Sequence, residues 1–109
     1  MVNEKRKNDF LFEVTGGIRI GDSYWGSSNV TWPLAKIKIF KRKIILNSIL
    51  SKIELKKTEI KYIERYKGLF SSGIRIHHKK PKSPSFIIFW SLSTDKLLKK
   101  IKNSGYKIK

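Results

Sequence analysis

The sequence predicts a mainly β domain of about seven antiparallel strands that ends in one C-terminal α-helix. Three observations lead to this prediction: short segments in which apolar and polar residues alternate, turn-forming residues between them, and a final amphipathic segment with helix boundary signals. The chain of 109 residues is long enough for one domain with its own hydrophobic core. We expect residues 1–9 to form a flexible N-terminus and residues 10–109 to form that domain.

The first half of the chain predicts four strands. Alternating apolar residues at 10–13 and 18–20 predict a first strand that bends at Gly16 and Gly17. The segment 21–29 is rich in Gly and Ser and predicts a loop. The next strand, 30–40, contains Pro33 near its start, which is typical of a strand edge or a bulge. After a polar turn at 41–43, further strands are predicted at 44–46 and 52–55, with a turn at 47–48 between them.

The second half predicts three more strands and the closing helix. Ile60 and Ile63 are three residues apart and predict one helical turn before an extended segment at 64–66. Alternation at 73–78 predicts a strand, and the apolar run 86–90 predicts a central strand that is covered on both faces. Ser93 as N-cap and Gly105 as C-cap bound a helix over 94–104. Its apolar stripe consists of Leu97, Leu98 and Ile101.

The charge is strongly positive, with 25 Lys and Arg against 8 Asp and Glu and a net charge of +17. Such a field attracts nucleic acid, anionic membranes and acidic proteins. A lysine-rich composition is also what an A/T-rich genome produces, so the charge alone does not assign a partner. The absence of cysteine excludes disulfides and thiolate chemistry, and no segment resembles a signal peptide or a membrane span. We expect a cytoplasmic protein.

Residues with catalytic or metal-binding potential are few. His77 and His78 are neighbours on a predicted strand, so their side chains leave opposite faces and cannot bind one metal together. We expect His78 to be a hydrogen-bonded core residue and His77 to face solvent. The acidic residues show no paired pattern, and the segment at 16–21 lacks the glycine spacing of a phosphate-binding loop. We therefore expect no enzymatic activity, no metal and no cofactor.

Several segments resemble a known family. Four segments are similar to those of small bacterial pleckstrin-homology-like (PH-like) and GRAM-type domains. They are IKYI with YKG at 60–68, GIRIHH at 73–78, FIIFW at 86–90 and LLKKIKNSGY at 97–106. The resemblance covers about residues 30–109. It implies a bent antiparallel β-sandwich or barrel capped by the helix. It also implies a non-enzymatic interaction module that binds a protein partner or an anionic membrane surface.

The basic residues of phosphoinositide-binding PH domains have only partial equivalents here. The nearest positions are Arg19, Lys36 and Lys38, and the last of these is lysine where the family pattern has arginine. Lysine binds phosphate as a point charge rather than through a two-pronged guanidinium. The resemblance therefore predicts a basic strand surface more directly than a specific headgroup site.

The candidate binding residues are two aromatic residues in the predicted loop and six basic residues near it. These are Tyr24, Trp25, Arg19, Lys36, Lys38, Lys41, Arg42 and Lys43. An exposed Tyr-Trp pair is typical of an interface anchor, and the alternative is that both rings fold over the core beside Trp32. The basic stretches form either one positive rim or separate solvated turns.

A second functional class remains open. A small basic β-barrel that binds single-stranded nucleic acid has the same composition, with Tyr24, Trp25 and Phe70 as candidates for base stacking. The aromatic residues at 86–90 have no basic residues between them, which favours a core strand over a stacking surface.

Overall fold

A computed structural model describes residues 9–21, 27–49, 51–69 and 71–109. The strands are β1 (Phe10–Gly21), β2 (Ser27–Phe40), β3 (Lys43–Ser48), β4 (Lys52–Lys56), β5 (Ile60–Lys67), β6 (Ser72–His78) and β7 (Phe86–Ser91), and the helix is α1 (Thr94–Asn103). All seven strands lie in one antiparallel sheet of order β4-β3-β2-β1-β7-β6-β5. The predicted mainly β fold with one C-terminal helix is confirmed.

The sheet curls around its own apolar face because β1 and β2 are irregular where they cross the middle of the sheet. Gly16 pairs with Ala35, but Ile18 pairs with Val30, so residues 31–34 of β2 stand opposite Gly17 alone. Extra residues on one strand bend it and increase its twist. The predicted bend at the two glycines is confirmed, and Pro33 lies in this bulge as expected. Beyond the bulge, β1 pairs with β7 as well as with β2.

The hydrophobic core lies on the concave face of the sheet. Both halves contribute fully buried side chains, among them Ile37, Ile39, Ile44, Leu46, Ile63, Ile74, Ile76, Ile87 and Phe89. The helix α1 covers them with Leu97 and Ile101, whereas Leu98 is only partly buried. Residues 86–89 of β7 are all buried, which confirms the predicted central strand.

The end of α1 is defined by a complete Schellman motif. Gly105 has a φ of +92°, and its N–H donates to the carbonyl of Lys102 at 3.0 Å. The N–H of Tyr106 reaches the carbonyl of Ile101 at 3.4 Å. Glycine is favoured because this φ is strained for any residue with a Cβ. The motif turns the chain back so that Tyr106 is buried against the core.

The β5 edge of the sheet is paired with the C-terminal residues, and the β4 edge receives one side-chain hydrogen bond. On β5, Ile63 accepts from the N–H of Lys109 and donates to the carbonyl of Lys107, each at 2.9 Å. On β4, the carbonyl of Glu54 accepts from Lys80 Nζ at 2.7 Å. Covering of this kind limits pairing of exposed edges with other chains.

Several predicted boundaries shift, each because a cross-strand bond extends a strand. β2 begins at Ser27, opposite Gly21, so the predicted loop at 21–29 is shorter. Asn47 and the following serine pair with β2 and continue β3, and the turn comes after them. The predicted helical turn at 60–63 is wrong: a 3-10 turn occupies Lys57–Glu59, and β5 starts at Ile60. Within the described residues, no helix has the length and apolar character needed to cross a membrane.

The buried hydroxyl of Tyr106 generates the first prediction. It donates to the carbonyl of Phe40 at 2.6 Å and lies 2.8 Å from that of Lys43. Burial raises the pKa of the Tyr106 phenol well above its ordinary value of about 10. Above about pH 10 the unfolded chain releases the phenol proton while the folded protein keeps it. The free energy of unfolding therefore falls as pH rises.

We expect Tyr106→Phe to lower the free energy of unfolding by about 1–3 kcal/mol at neutral pH, because it removes a buried hydrogen bond. In the variant, the free energy of unfolding should also fall less steeply as pH rises into the alkaline range, because the titrating hydroxyl is gone. Urea denaturation from neutral to alkaline pH measures both effects. Tyr62→Phe is the control, since its hydroxyl has no hydrogen bond to another described residue. Equal stability and equal pH slopes for Tyr106→Phe and the unmodified protein would contradict the packing described.

Candidate functional site

A pocket of about 340 Å³ opens on the convex face of the sheet, opposite the core. It lies where β1, β2 and β7 meet the turn between β5 and β6. Its walls include Arg19, Trp32, Tyr66, Leu69, Trp90 and Leu92. Aromatic and aliphatic side chains dominate these walls, with the guanidinium of one arginine beside them. Pockets of this type commonly accept an apolar group next to an anionic one.

Trp90 occupies this pocket because its two cross-strand neighbours are glycines. It pairs with Gly17 on β1 and with Gly73 on β6. A Cβ at Gly73 would lie 2.1 Å from the carbonyl oxygen of Phe89, so the strands could not approach as closely with any other residue there.

The indole of Trp90 is held at both ends. Its Nε1 donates to Asn29 Oδ1 at 3.1 Å, and its six-membered ring lies beside Gly68. Tyr66 packs edge-on against it, with ring centroids 5.8 Å apart. The ring is therefore a fixed part of the pocket and is only partly open to solvent.

Five large apolar side chains around the pocket are exposed to solvent. We call them the apolar patch: Leu69 (90% exposed), Leu92 (80%), Ile49 (73%), Trp32 (52%) and Leu34 (49%). Trp32, Leu69 and Leu92 line the same pocket. Leu34 lies next to the turn that carries Ile49, because Ala35 pairs with Ser48. The patch thus combines three residues of the pocket wall with the adjoining Leu34 and Ile49, and it comes from the β2 bulge and three separate connections.

Three of the predicted binding residues lie on the convex face but do not converge. Arg19 lines the pocket, opposite Asn29 on β2. Lys36 and Lys38 instead flank Glu13, with Nζ to carboxylate distances of 3.6 and 4.0 Å. They lie on the other side of the bulge from Arg19, so the structure does not join the three cations into one anion site.

Lys41, Arg42 and Lys43 lie at the far end of the β2–β3 hairpin. Arg42 is 3.8 Å from a carboxylate oxygen of Asp9, and Lys43 is 3.9 Å from one of Glu54. Lys41 is exposed. The loop at 79–85 reaches this region through the bond from Lys80 to β4. These residues form a basic region that is separate from the pocket and partly neutralised.

Tyr24, Trp25 and Phe70 lie outside the described residues, as do residues 1–8 of the expected flexible N-terminus. Sequence reasoning placed Trp90 in a core strand and Trp32 beside the core, and it missed the pocket that they share. The available signal was the register of Trp90 with Gly17 and Gly73. That register becomes visible only once the strand pairing is known.

The two histidines leave opposite faces of β6, as predicted. His78 donates from Nε2 to the carbonyl of Pro84 at 2.6 Å and accepts the N–H of Lys80 at Nδ1. The expected hydrogen bonding of His78 is confirmed, but the residue is only partly buried and lies outside the core cluster. His77 stacks on Tyr62 and lies 2.5 Å from Glu64 Oε2, so it is more enclosed than expected. Among the described residues, no group of three or more acidic or histidine side chains is placed to hold a metal ion.

No family model matches the sequence, and no curated protein matches it. The resemblance to PH-like domains therefore stays a prediction, and the pocket and the apolar patch are interpreted from their own geometry.

The glycine at 73 provides a direct test of how the pocket is built. We expect Gly73→Ala to lower the free energy of unfolding by about 1–3 kcal/mol, because the added methyl group forces β6 and β7 apart. Chemical denaturation measures this change, and the tryptophan fluorescence of the protein should shift because the ring of Trp90 moves. Ser71→Ala, an exposed position in the same pocket, serves as control and should have an effect below about 0.5 kcal/mol. Wild-type stability of Gly73→Ala would show that the strands are not in close contact.

Proposed function

We propose that this protein is a non-enzymatic, PH-like interaction module that attaches to an anionic membrane surface through the apolar patch. The observation that carries the proposal is the exposure of five large apolar side chains, three of which line one pocket. Soluble proteins rarely expose contiguous apolar groups without an interaction that covers them. The other exposed large apolar residues of the described chain, Phe10 and Leu11, lie at the start of β1, away from this surface.

The form of the patch favours a membrane over a flat protein interface. Ile49, Leu69 and Leu92 each lie on a connection between elements, where an apolar side chain projects outward. Projecting apolar groups can enter the boundary between lipid headgroups and acyl chains. Trp32 adds an indole, which favours that same boundary. Complete insertion of one leucine or isoleucine contributes about 1.5–3 kcal/mol.

The charge of the protein supports the same partner. A net charge of +17 is attracted to anionic lipid over distances longer than the apolar contacts reach. Seven antiparallel strands followed by one capping helix are the order that the resemblance to PH-like domains implies. A protein partner that covers the apolar patch is the alternative occupant, and vesicle binding distinguishes the two.

Single-stranded nucleic acid is the second candidate, because Trp32, Tyr66 and Trp90 gather beside Arg19. Bases stack on open aromatic faces, and phosphates bind nearby cations. Tyr66 and Trp90 are packed against each other, however, and only Trp32 is strongly exposed. One open ring is a weaker stacking surface than an aromatic row, so the membrane ranks first.

The experiment is vesicle sedimentation with the double variant Leu69→Ser, Leu92→Ser. We expect the partition coefficient onto anionic vesicles to fall by about tenfold for each leucine, because each loses roughly 1.4 kcal/mol of apolar transfer energy. Leu11→Ser is the control: it replaces a leucine that is 39% exposed and lies away from the patch, and it should leave binding unchanged.

Three outcomes are decisive. Loss of binding in the double variant alone supports the proposal. Equal binding of the unmodified protein, the double variant and Leu11→Ser shows that the apolar patch does not enter the membrane. No binding to anionic vesicles, together with salt-sensitive binding of single-stranded DNA that Trp32→Ala weakens, would select the nucleic-acid function.

A further inference from the structure

We infer that the module responds to the negative charge density of a membrane rather than to the stereochemistry of one lipid headgroup. The inference rests on the proposed membrane attachment and names the class of lipid surface that would be bound: any bilayer rich in anionic lipid, whatever its headgroup. It derives from where the structure places paired and unpaired cations relative to the apolar patch.

The cations at the positions where the PH-like pattern predicts a headgroup site are engaged elsewhere or lie apart. Selective recognition of a phosphorylated headgroup requires several cations aimed at one point. Lys36 and Lys38 share Glu13, at 3.6 and 4.0 Å. Arg19 lies four residues further along β1 than Thr15, the partner of Lys36, and the bulge separates them. Four residues of strand span about 13 Å, and Lys36 lies against Glu13 on the side away from Arg19.

The basic region at the β2–β3 turn offers no better site. Arg42 and Lys43 face Asp9 and Glu54, so two of its cations are balanced by two carboxylates. This turn lies seven residues along β2 from Leu34 of the apolar patch, a distance of about 23 Å in an extended strand. A headgroup held there would not bring the patch into contact with the bilayer.

The lysines beside the patch are arranged differently. Lys52 follows the turn that contains Ile49, and Lys67 lies two residues before Leu69. Lys96 lies in the first turn of α1, four residues after Leu92. All three are exposed, and none forms an ion pair with an acidic side chain in the described chain. Each lies two to four residues along the chain from a residue of the patch, and the three belong to three different elements rather than to one cluster.

Separated ammonium groups of this kind add their electrostatic energies without selecting a headgroup. Each lysine near an anionic surface contributes about 1 kcal/mol, and the contribution grows with surface potential and is screened by salt. Insertion of the patch brings all three lysines to the headgroup level together. Binding should therefore rise steeply with the anionic fraction of the bilayer and depend little on which lipid supplies the charge.

The first arm of the experiment compares vesicles of equal total charge. Phosphatidylcholine vesicles contain phosphatidylserine, phosphatidylglycerol or phosphatidylinositol bisphosphate, with the amounts adjusted to the same surface potential. We expect partition coefficients that agree within about threefold and fall together as salt increases. A preference of tenfold or more for one headgroup at equal potential would overturn the inference while leaving membrane attachment intact.

The second arm removes the lysines. Lys52→Gln, Lys67→Gln and Lys96→Gln should each lower the partition coefficient by about fivefold, and the triple variant by about a hundredfold. Lys41→Gln is the matched control, because it removes the same charge from an exposed site away from the patch. Lys41 lies about 23 Å along β2 from Leu34, whereas two Debye lengths at physiological salt are about 16 Å. Equal losses for Lys41→Gln and the other single variants would also overturn the inference.

Failure of the proposed function looks different from failure of this inference. Absence of binding to every anionic vesicle removes membrane attachment itself and the inference with it. Circular dichroism of the triple variant checks that the fold is intact. These surface substitutions are expected to change stability little.

Discussion

The close approach of β1 to its neighbours at Gly16 and Gly17 is the constraint on which the rest of the structure depends. A Cβ at Gly16 would lie 2.1 Å from the carbonyl oxygen of Trp90, and one at Gly17 would lie 2.7 Å from that of Val30. With no side chain at either position, β1 can pass between β2 and β7 while the β2 bulge forms opposite it. The sheet then curls enough to enclose its own apolar face, and α1 closes the remaining opening with Leu97 and Ile101.

The same constraint creates the apolar patch. The bulge contains Trp32 and Leu34, and both side chains remain exposed. Since β7, β6 and β5 pair with one another beside the bulge, the connections that carry Leu69 and Leu92 gather at the same place.

The fold could be predicted largely from the sequence, whereas the site could not. Alternation at 73–78, the apolar run 86–90 and the signals at Ser93 and Gly105 are local, and each gave the correct element. The helical turn was predicted at 60–63 instead of Lys57–Glu59 because the spacing of Ile60 and Ile63 fits both a helical turn and an edge strand. The site depends on contacts across strands: Trp90 opposite two glycines, and Lys36 and Lys38 beside Glu13. Periodicity along one strand contains no information on these contacts.

The most direct test of membrane attachment is the depth of the apolar patch in a bilayer. The chain has no cysteine, so a single nitroxide label can be attached through Leu92→Cys or, as the control away from the patch, Leu11→Cys. Power-saturation electron paramagnetic resonance then compares collisions of the label with oxygen and with a water-soluble nickel chelate. We expect the label at 92 to become accessible to oxygen and shielded from nickel on anionic vesicles, while the label at 11 stays in water. Equal accessibility of both labels to nickel in the vesicle-bound protein would contradict this account.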